Sequence, residues 1–135
     1  MKKLTISAEI AKLDYVLDFI NDSLIAAGCD NNTMLSIDVA AEEVFVNIAS
    51  YAYSGKDGDA VIETETIDDP RSIRITFKDS GIPYDPLTHK DPDTTLPAEE
   101  RDIGGLGILM VRKMMDKVYY EYSGGMNILT IIKSI

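Results

Sequence analysis

Glu43 and Asn47 stand four residues apart in the run Ala40-Ala41-Glu42-Glu43-Val44-Phe45-Val46-Asn47-Ile48-Ala49. That spacing stacks a carboxylate and an amide on one face of a helix. A carboxylate among such apolar neighbours needs a partner or a task. The amide oxygen suits Mg²⁺, a hard cation that keeps several waters and takes few protein ligands, and the carboxylate suits a general base. Further along, Asp79-Ser80-Gly81-Ile82-Pro83 closes an alternating apolar run. There Asp79 would point out of the strand end, ready to accept the exocyclic amine of a purine. Gly81 would let a ring approach the main chain with no Cβ in the way. Gly104-Gly105-Leu106-Gly107 then opens a helical run, where free N–H groups and the helix dipole favour an anion such as a triphosphate. Base, metal ligand and phosphate cradle together describe a nucleotide pocket.

Each feature alone has a plainer reading. Glu43 can be a solvated edge residue and Asn47 a local hydrogen bonder, Asp79 can form an Asx turn with Pro83, and the glycines can serve tight packing of a loop on a helix start. The dinucleotide fingerprint is not met, because Met110 stands where its third glycine would be and a hairpin follows instead of a parallel strand. No Gly-Lys-Ser or Gly-Lys-Thr marks a P-loop.

The elements that must position these residues follow from periodicity. Lys3 to Ser7 reads as a strand, and Ile10, Leu13, Leu17, Ile20 and Leu24 recur at helical steps until Gly28. Asn31 and Asn32 offer N-cap chemistry for a second helix with a buried stripe of Ile37, Ala40, Ala41, Val44, Ile48 and Tyr51, ending near Tyr53. Ala60 to Thr66 and Ser72 to Asp79 alternate as an antiparallel pair. From Tyr84 to Asp102 the pattern disappears into a surface loop with at most a short helical turn. Leu106 to Met115 resumes helical spacing, and Val118–Tyr122 and Ile128–Ile132 flank the glycine turn Ser123-Gly124-Gly125-Met126. The order β-α-α-β-β-loop-α-β-β predicts a two-layer α+β sandwich, with three helices on one face of a mixed, mostly antiparallel sheet of about five strands. Met110, Met114 and Met115 read as core or as an adaptable partner surface.

A chain of 135 residues suits a single domain, 1–135. Its net charge of −10 disfavours nucleic acid and anionic membrane surfaces as direct partners. The lone Cys29 excludes an internal disulfide, and neither a signal peptide nor a run of roughly 20 apolar residues is evident, so a cytoplasmic location is expected.

In this order the three segments resemble the nucleotide-binding boxes of the GHKL ATPase superfamily, the group of gyrase, heat-shock chaperone, histidine kinase and mismatch-repair ATPases. Glu43 to Asn47 is similar to its N box, Asp79 to Pro83 to its first glycine box and Gly104 to Gly107 to its second. The resemblance spans nearly the whole chain. Glu42-Glu43 to Asn47 followed by Tyr51-Ala52-Tyr53, and Gly105 to Val118, look like the small stand-alone anti-sigma factor serine kinases of bacteria. The resemblance implies a Bergerat, histidine kinase-like ATPase fold that binds ATP and Mg²⁺ under a lid at about 84–103. It implies that Asp79 bonds the adenine amine, Gly81 lies against the ring, Asn47 coordinates Mg²⁺ and Glu43 acts as base. Gly104, Gly105, Leu106 and Gly107 would cradle the phosphates, Arg101 would neighbour them from the lid, and Thr130 would stand behind the adenine carboxylate. The implied function is a protein-serine kinase that phosphorylates an anti-anti-sigma partner of the STAS fold and sequesters a sigma factor, with a homodimer as its typical assembly. The alternative is an anti-sigma partner-switch module that binds ATP with little or no kinase activity. One departure bears on this choice: Tyr51 stands where relatives often have histidine. The one histidine, His89, falls in the lid, and without a phosphoacceptor helix a sensor histidine kinase is not expected.

Overall fold

Alternation and helical stripes fold as a sheet with helices across one of its faces. The computed structural model describes residues 1–68, 70–88 and 105–135, and of residues 105–107 the backbone alone. Strand β1 (Lys2–Ser7) leads into helices α1 (Leu13–Ala26) and α2 (Asn31–Asn47), followed by strands β2 (Asp59–Ile67) and β3 (Ser72–Asp79). Helix α3 (Gly105–Met114) precedes strands β4 (Lys117–Ser123) and β5 (Met126–Ser134). The sheet order is β1-β2-β3-β5-β4. Every pairing is antiparallel, so the mixed sheet expected above is antiparallel throughout the described residues.

Strand parity decides what faces the helices, because successive side chains alternate between faces. Ala60, Ile62 and Thr64 of β2, Ile73, Ile75 and Phe77 of β3, and Leu129 and Ile131 of β5 are buried. They form one core with Val16, Ile20 and Leu24 of α1, Ile37, Ala40, Ala41, Val44 and Phe45 of α2, and Val111 of α3. Burial of each large apolar side chain contributes about 1.5–3 kcal/mol. Within this apolar contact Ser23 Oγ and Thr64 Oγ1 satisfy each other at 2.8 Å, pinning α1 to β2.

Helix α1 ends as Gly28 predicts. Gly28, at φ +76°, takes the left-handed place, and the Gly28 and Cys29 N–H groups return to the Ile25 and Leu24 carbonyls at 3.0 Å each. The start of α2 corrects the sequence reading. Its cap is Asp30, extended at φ −74° and ψ 162°, whose carboxylate accepts from Thr33 N at 2.8 Å, while Asn31 lies inside the first turn. The end of α2 also departs from regularity. A π-turn over Ile48–Ala52 follows Asn47, and its wider turn leaves Ala52 facing inward at 9% exposure while Tyr51 is 44% exposed. Tyr51 is therefore not part of the buried stripe.

Candidate functional site

The same parity that buries Ile73, Ile75 and Phe77 carries Asp79 to the helix-covered face at the end of β3, where it is 5% exposed. A carboxylate so placed must be bonded. Its Oδ1 accepts from Gly81 N and from Asn127 Nδ2, both at 2.9 Å. Its wall belongs to a cavity of roughly 280 Å³ between sheet and helices. The volume lies near the lower bound of pockets that hold small organic ligands, and predominantly apolar walls with few polar groups are typical of them. Val44, Ile48, Phe77, Ile108 and Leu129 supply the apolar wall, with Asn47, Asp79 and Asn127 as polar groups.

Asn47 reaches this cavity from the last turn of α2. Glu43 sits one turn earlier, half-buried and outside the cavity lining. Ile108 belongs to the first turn of α3, so the N-terminal end of that helix, which begins at Gly105, borders the same space. Asn47, Asp79 and the start of α3 are thus brought together. Arg101, Gly104 and the predicted lid from residue 89 to 103 lie outside the described residues, as does His89. Of the predicted lid's start, Tyr84 and Pro86 line the cavity, and Pro86–Thr88 form a short 3₁₀ turn.

Gly81 has a steric reason of its own. A Cβ there would lie 2.1 Å from the Ala52 carbonyl oxygen and 2.5 Å from the Ala52 carbonyl carbon. The close approach lets Ile82 N donate to Ala52 O at 2.8 Å, satisfying a carbonyl that the end of the π-turn leaves free. Tyr53 braces the same junction, since its hydroxyl donates to Asp59 O at 2.5 Å and accepts from Ser80 N at 2.9 Å. Burial raises the Tyr53 pKa, as do Asp79 and Asp59, with the Ser80 bond opposing, so the phenol stays protonated.

Thr130 is on the other side of the sheet. It is cross-strand partner to Thr76 and Tyr119 and lines an open groove with Glu63, Arg74 and Lys78. Positions 127 and 130 differ by an odd number, so they face opposite ways. The residue behind Asp79 is Asn127, its direct partner in the β3–β5 register. Sequence reasoning missed it, although a polar residue in phase with Leu129 and Ile131 was a visible signal. Tyr120, also missed, donates its hydroxyl to Asn127 Oδ1. Burial raises its pKa first, Asp85 and Asp79 add to the rise and a bond from Tyr84 opposes it.

Glu43 and Asn47 make no side-chain hydrogen bond among the described residues, and Asp79 Oδ2 accepts none there. These are open groups suited to a ligand: an acceptor for an amine, an amide oxygen for a hard cation and a helix start for an anion. Among the described residues no three His, Cys, Asp or Glu side chains cluster as a metal site. The Asn47 amide oxygen is a single donor of the kind a hard cation that keeps several waters accepts. No helix among the described residues is long and apolar enough to cross a membrane.

Comparison with known proteins shows the family. A family model described as a histidine kinase-like ATPase domain matches residues 6–133. The chain is 30% identical over 127 residues to a serine-protein kinase RsbW of Listeria monocytogenes, covering 88% of this chain and 80% of that protein. It is 24% identical over 132 residues to the RsbW of Bacillus pumilus, covering 93% and 72%. A serine/threonine-protein kinase BtrW of Bordetella bronchiseptica is 26% identical over 96 residues, covering 71% and 67%. Among solved structures, the RsbU and RsbW domains of Rv1364c from Mycobacterium tuberculosis match with a TM-score of 0.66 at 16% identity, over 99% of this chain and 32% of that one. That likeness speaks to fold alone.

Proposed function

This chain belongs to the histidine kinase-like ATPase domain family, and on that premise we propose that it is an ATP-dependent protein-serine kinase of the anti-sigma type. The observation that carries the proposal is the meeting of Asp79, Asn47 and the first turn of α3 around one cavity. Asp79 Oδ2 accepts the adenine amine, and the apolar wall of Val44, Ile48, Phe77 and Leu129 takes the ring. The free N–H groups at Gly105, Leu106 and Gly107, with Gly104 and Arg101 before them, hold the phosphates. Asn47 offers its amide oxygen to Mg²⁺. When bound, the ion neutralises charge on the phosphate oxygens. Glu43, one turn from Asn47, accepts the proton of the partner's serine hydroxyl as that oxygen attacks the γ-phosphorus, whose bond to the β,γ-bridging oxygen breaks so that ADP leaves with that electron pair. Positioning and charge supply most of the rate in such a transfer.

The substrate is a serine on a STAS-type anti-anti-sigma protein, and once that partner is phosphorylated this chain holds a sigma factor, as a homodimer in the cytoplasm. The test is transfer of labelled γ-phosphate to a STAS partner. Wild type labels it, while Glu43→Ala binds ATP normally and labels at background. Should wild type bind ATP and label no more than that variant, the protein is a nucleotide-binding partner-switch module, a reading favoured by Tyr51 at the cavity wall where relatives often carry histidine.

A further inference from the structure

Asn127 is 7% exposed, and every hydrogen-bonding position of its side chain is used. The amide nitrogen donates to Asp79 Oδ1 and to the Ile82 carbonyl, each at 2.9 Å. The oxygen accepts from Tyr84 N at 3.0 Å and from the Tyr120 hydroxyl. A side-chain amide has two N–H donors and two oxygen lone pairs, so this one is saturated. Its orientation is fixed as well, since a turned amide would set its oxygen against the acceptors Asp79 Oδ1 and Ile82 O and an N–H against the Tyr84 N–H.

Two consequences follow. Asp79 Oδ1 is filled by Asn127 and Gly81, which leaves Oδ2 as the acceptor on the cavity side. A purine with a 6-amino group meets that oxygen with a donor, whereas a 6-oxo purine meets it with a second acceptor. The same amide grips Ile82 and Tyr84 in the segment that follows β3. From there Asp85 Oδ1 accepts from Leu87 N at 2.8 Å, and the Leu87 carbonyl accepts from Arg112 of α3. One bonded path joins the base carboxylate to the helix whose start borders the cavity.

Resting on the nucleotide reading above, we propose that Asn127 is a positioning residue with two duties: it sets the purine selectivity of Asp79, and it couples base binding to the hold on Ile82–Leu87. Loss of the amide frees the carboxylate to turn and removes the acceptor of the Tyr84 N–H at the same time. Asn127→Asp replaces the donor with a second carboxylate against Asp79, and a proton shared by the pair at lower pH restores the lost bond.

The experiment measures ATP and GTP affinity by calorimetry at about pH 6 and pH 8 for wild type, Asn127→Ala, Asn127→Asp and Asp79→Asn, the lower pH favouring the shared proton. Hydrogen exchange is followed at the Tyr84 amide. Asn127→Ala is expected to bind ATP about tenfold or more weakly, with GTP unchanged, because a bond to a charged group is lost. Asn127→Asp recovers ATP affinity towards wild type at the lower pH, and Asn127→Ala does not. ATP slows exchange at Tyr84 in wild type and leaves it unchanged in Asn127→Ala. A general loss of structure would weaken both nucleotides together, so an unchanged ATP-to-GTP ratio in Asn127→Ala overturns the proposal. A flat pH ratio for Asn127→Asp overturns it too. The nucleotide reading is tested separately: it fails when Asp79→Asn binds ATP as wild type does, whereas loss in Asp79→Asn with full retention in Asn127→Ala sinks the present proposal alone.

Discussion

Replacing Gly81 by alanine tests whether the junction between the π-turn and the β3 end holds the base carboxylate in place. The added Cβ would meet Ala52 O at 2.1 Å, Ala52 C at 2.5 Å and Ala52 Cβ at 2.7 Å. Two of these atoms are main chain, so no side chain can swing aside. Overpacking of this kind costs about 1–3 kcal/mol. Separation of the strands of chain also lengthens or breaks the Ile82 N to Ala52 O bond, now 2.8 Å, for about 0.5–1.5 kcal/mol more. The expected loss is about 2–4 kcal/mol, which a domain of ordinary stability survives. With a urea m-value of about 1.5–2 kcal/mol/M, the midpoint falls by about 1–2.5 M. Since Gly81 N is one of two donors on Asp79 Oδ1, ATP affinity falls in the same variant. Equilibrium urea unfolding and an ATP titration provide the readings. A midpoint and an affinity both at wild-type values would show that the close approach is not needed and that the steric reasoning is wrong.

Other substitutions probe the frame. Ser23→Ala should cost about 1–3 kcal/mol by leaving Thr64 Oγ1 buried without a partner, while Ser23→Ala with Thr64→Val should recover most of it in urea unfolding. Asp38 has a raised pKa, chiefly from burial with a bond from Asn21 opposing, and its Oδ1 and that of Asn21 are both buried without partners among the described residues. A raised folded pKa means wild type loses stability as pH rises through the window above its ordinary value of about 3.9. Asp38→Asn, which removes the charge and adds a donor, should therefore raise the thermal midpoint at pH 7, with the gain shrinking towards pH 4. Asp30 has the opposite sign. Bonds from the Thr33 N–H and hydroxyl lower its pKa, so its support of α2 is present above about pH 3.9 and fades as pH falls through the lower folded value. Asp30→Ala should lower the midpoint at pH 7 and approach wild type in acid.

Much of this arrangement was legible in the chain because it rests on local rules. Alternation gave β3 its bounds of Ser72–Asp79 and put Asp79 in phase with Phe77. Gly124 and Gly125, at φ +62° and +78°, meet the demand of a two-residue hairpin for positive φ at both central positions. What escaped depends on choices among equal local options or on pairings distant in sequence. Asp30, Asn31 and Asn32 all carry capping chemistry, and only the backbone turn selects Asp30. The π-turn at Ile48–Ala52 has no composition signal and exists against the Gly81 segment that packs on it. Asn127 was hidden behind Thr130 because the register of β5 against β3 decides which of them faces Asp79.

The most direct test is nucleotide titration of wild type, Asp79→Asn and Asn47→Ala, followed by thermal shift with and without Mg²⁺. Specific binding to the folded state must raise the midpoint with concentration. Wild type should show a saturable rise with ATP that Mg²⁺ enlarges. Asp79→Asn should lose affinity in both conditions, and Asn47→Ala should lose only the Mg²⁺-dependent part. Equal, unshifted curves for all three proteins would mean that this cavity does not bind ATP.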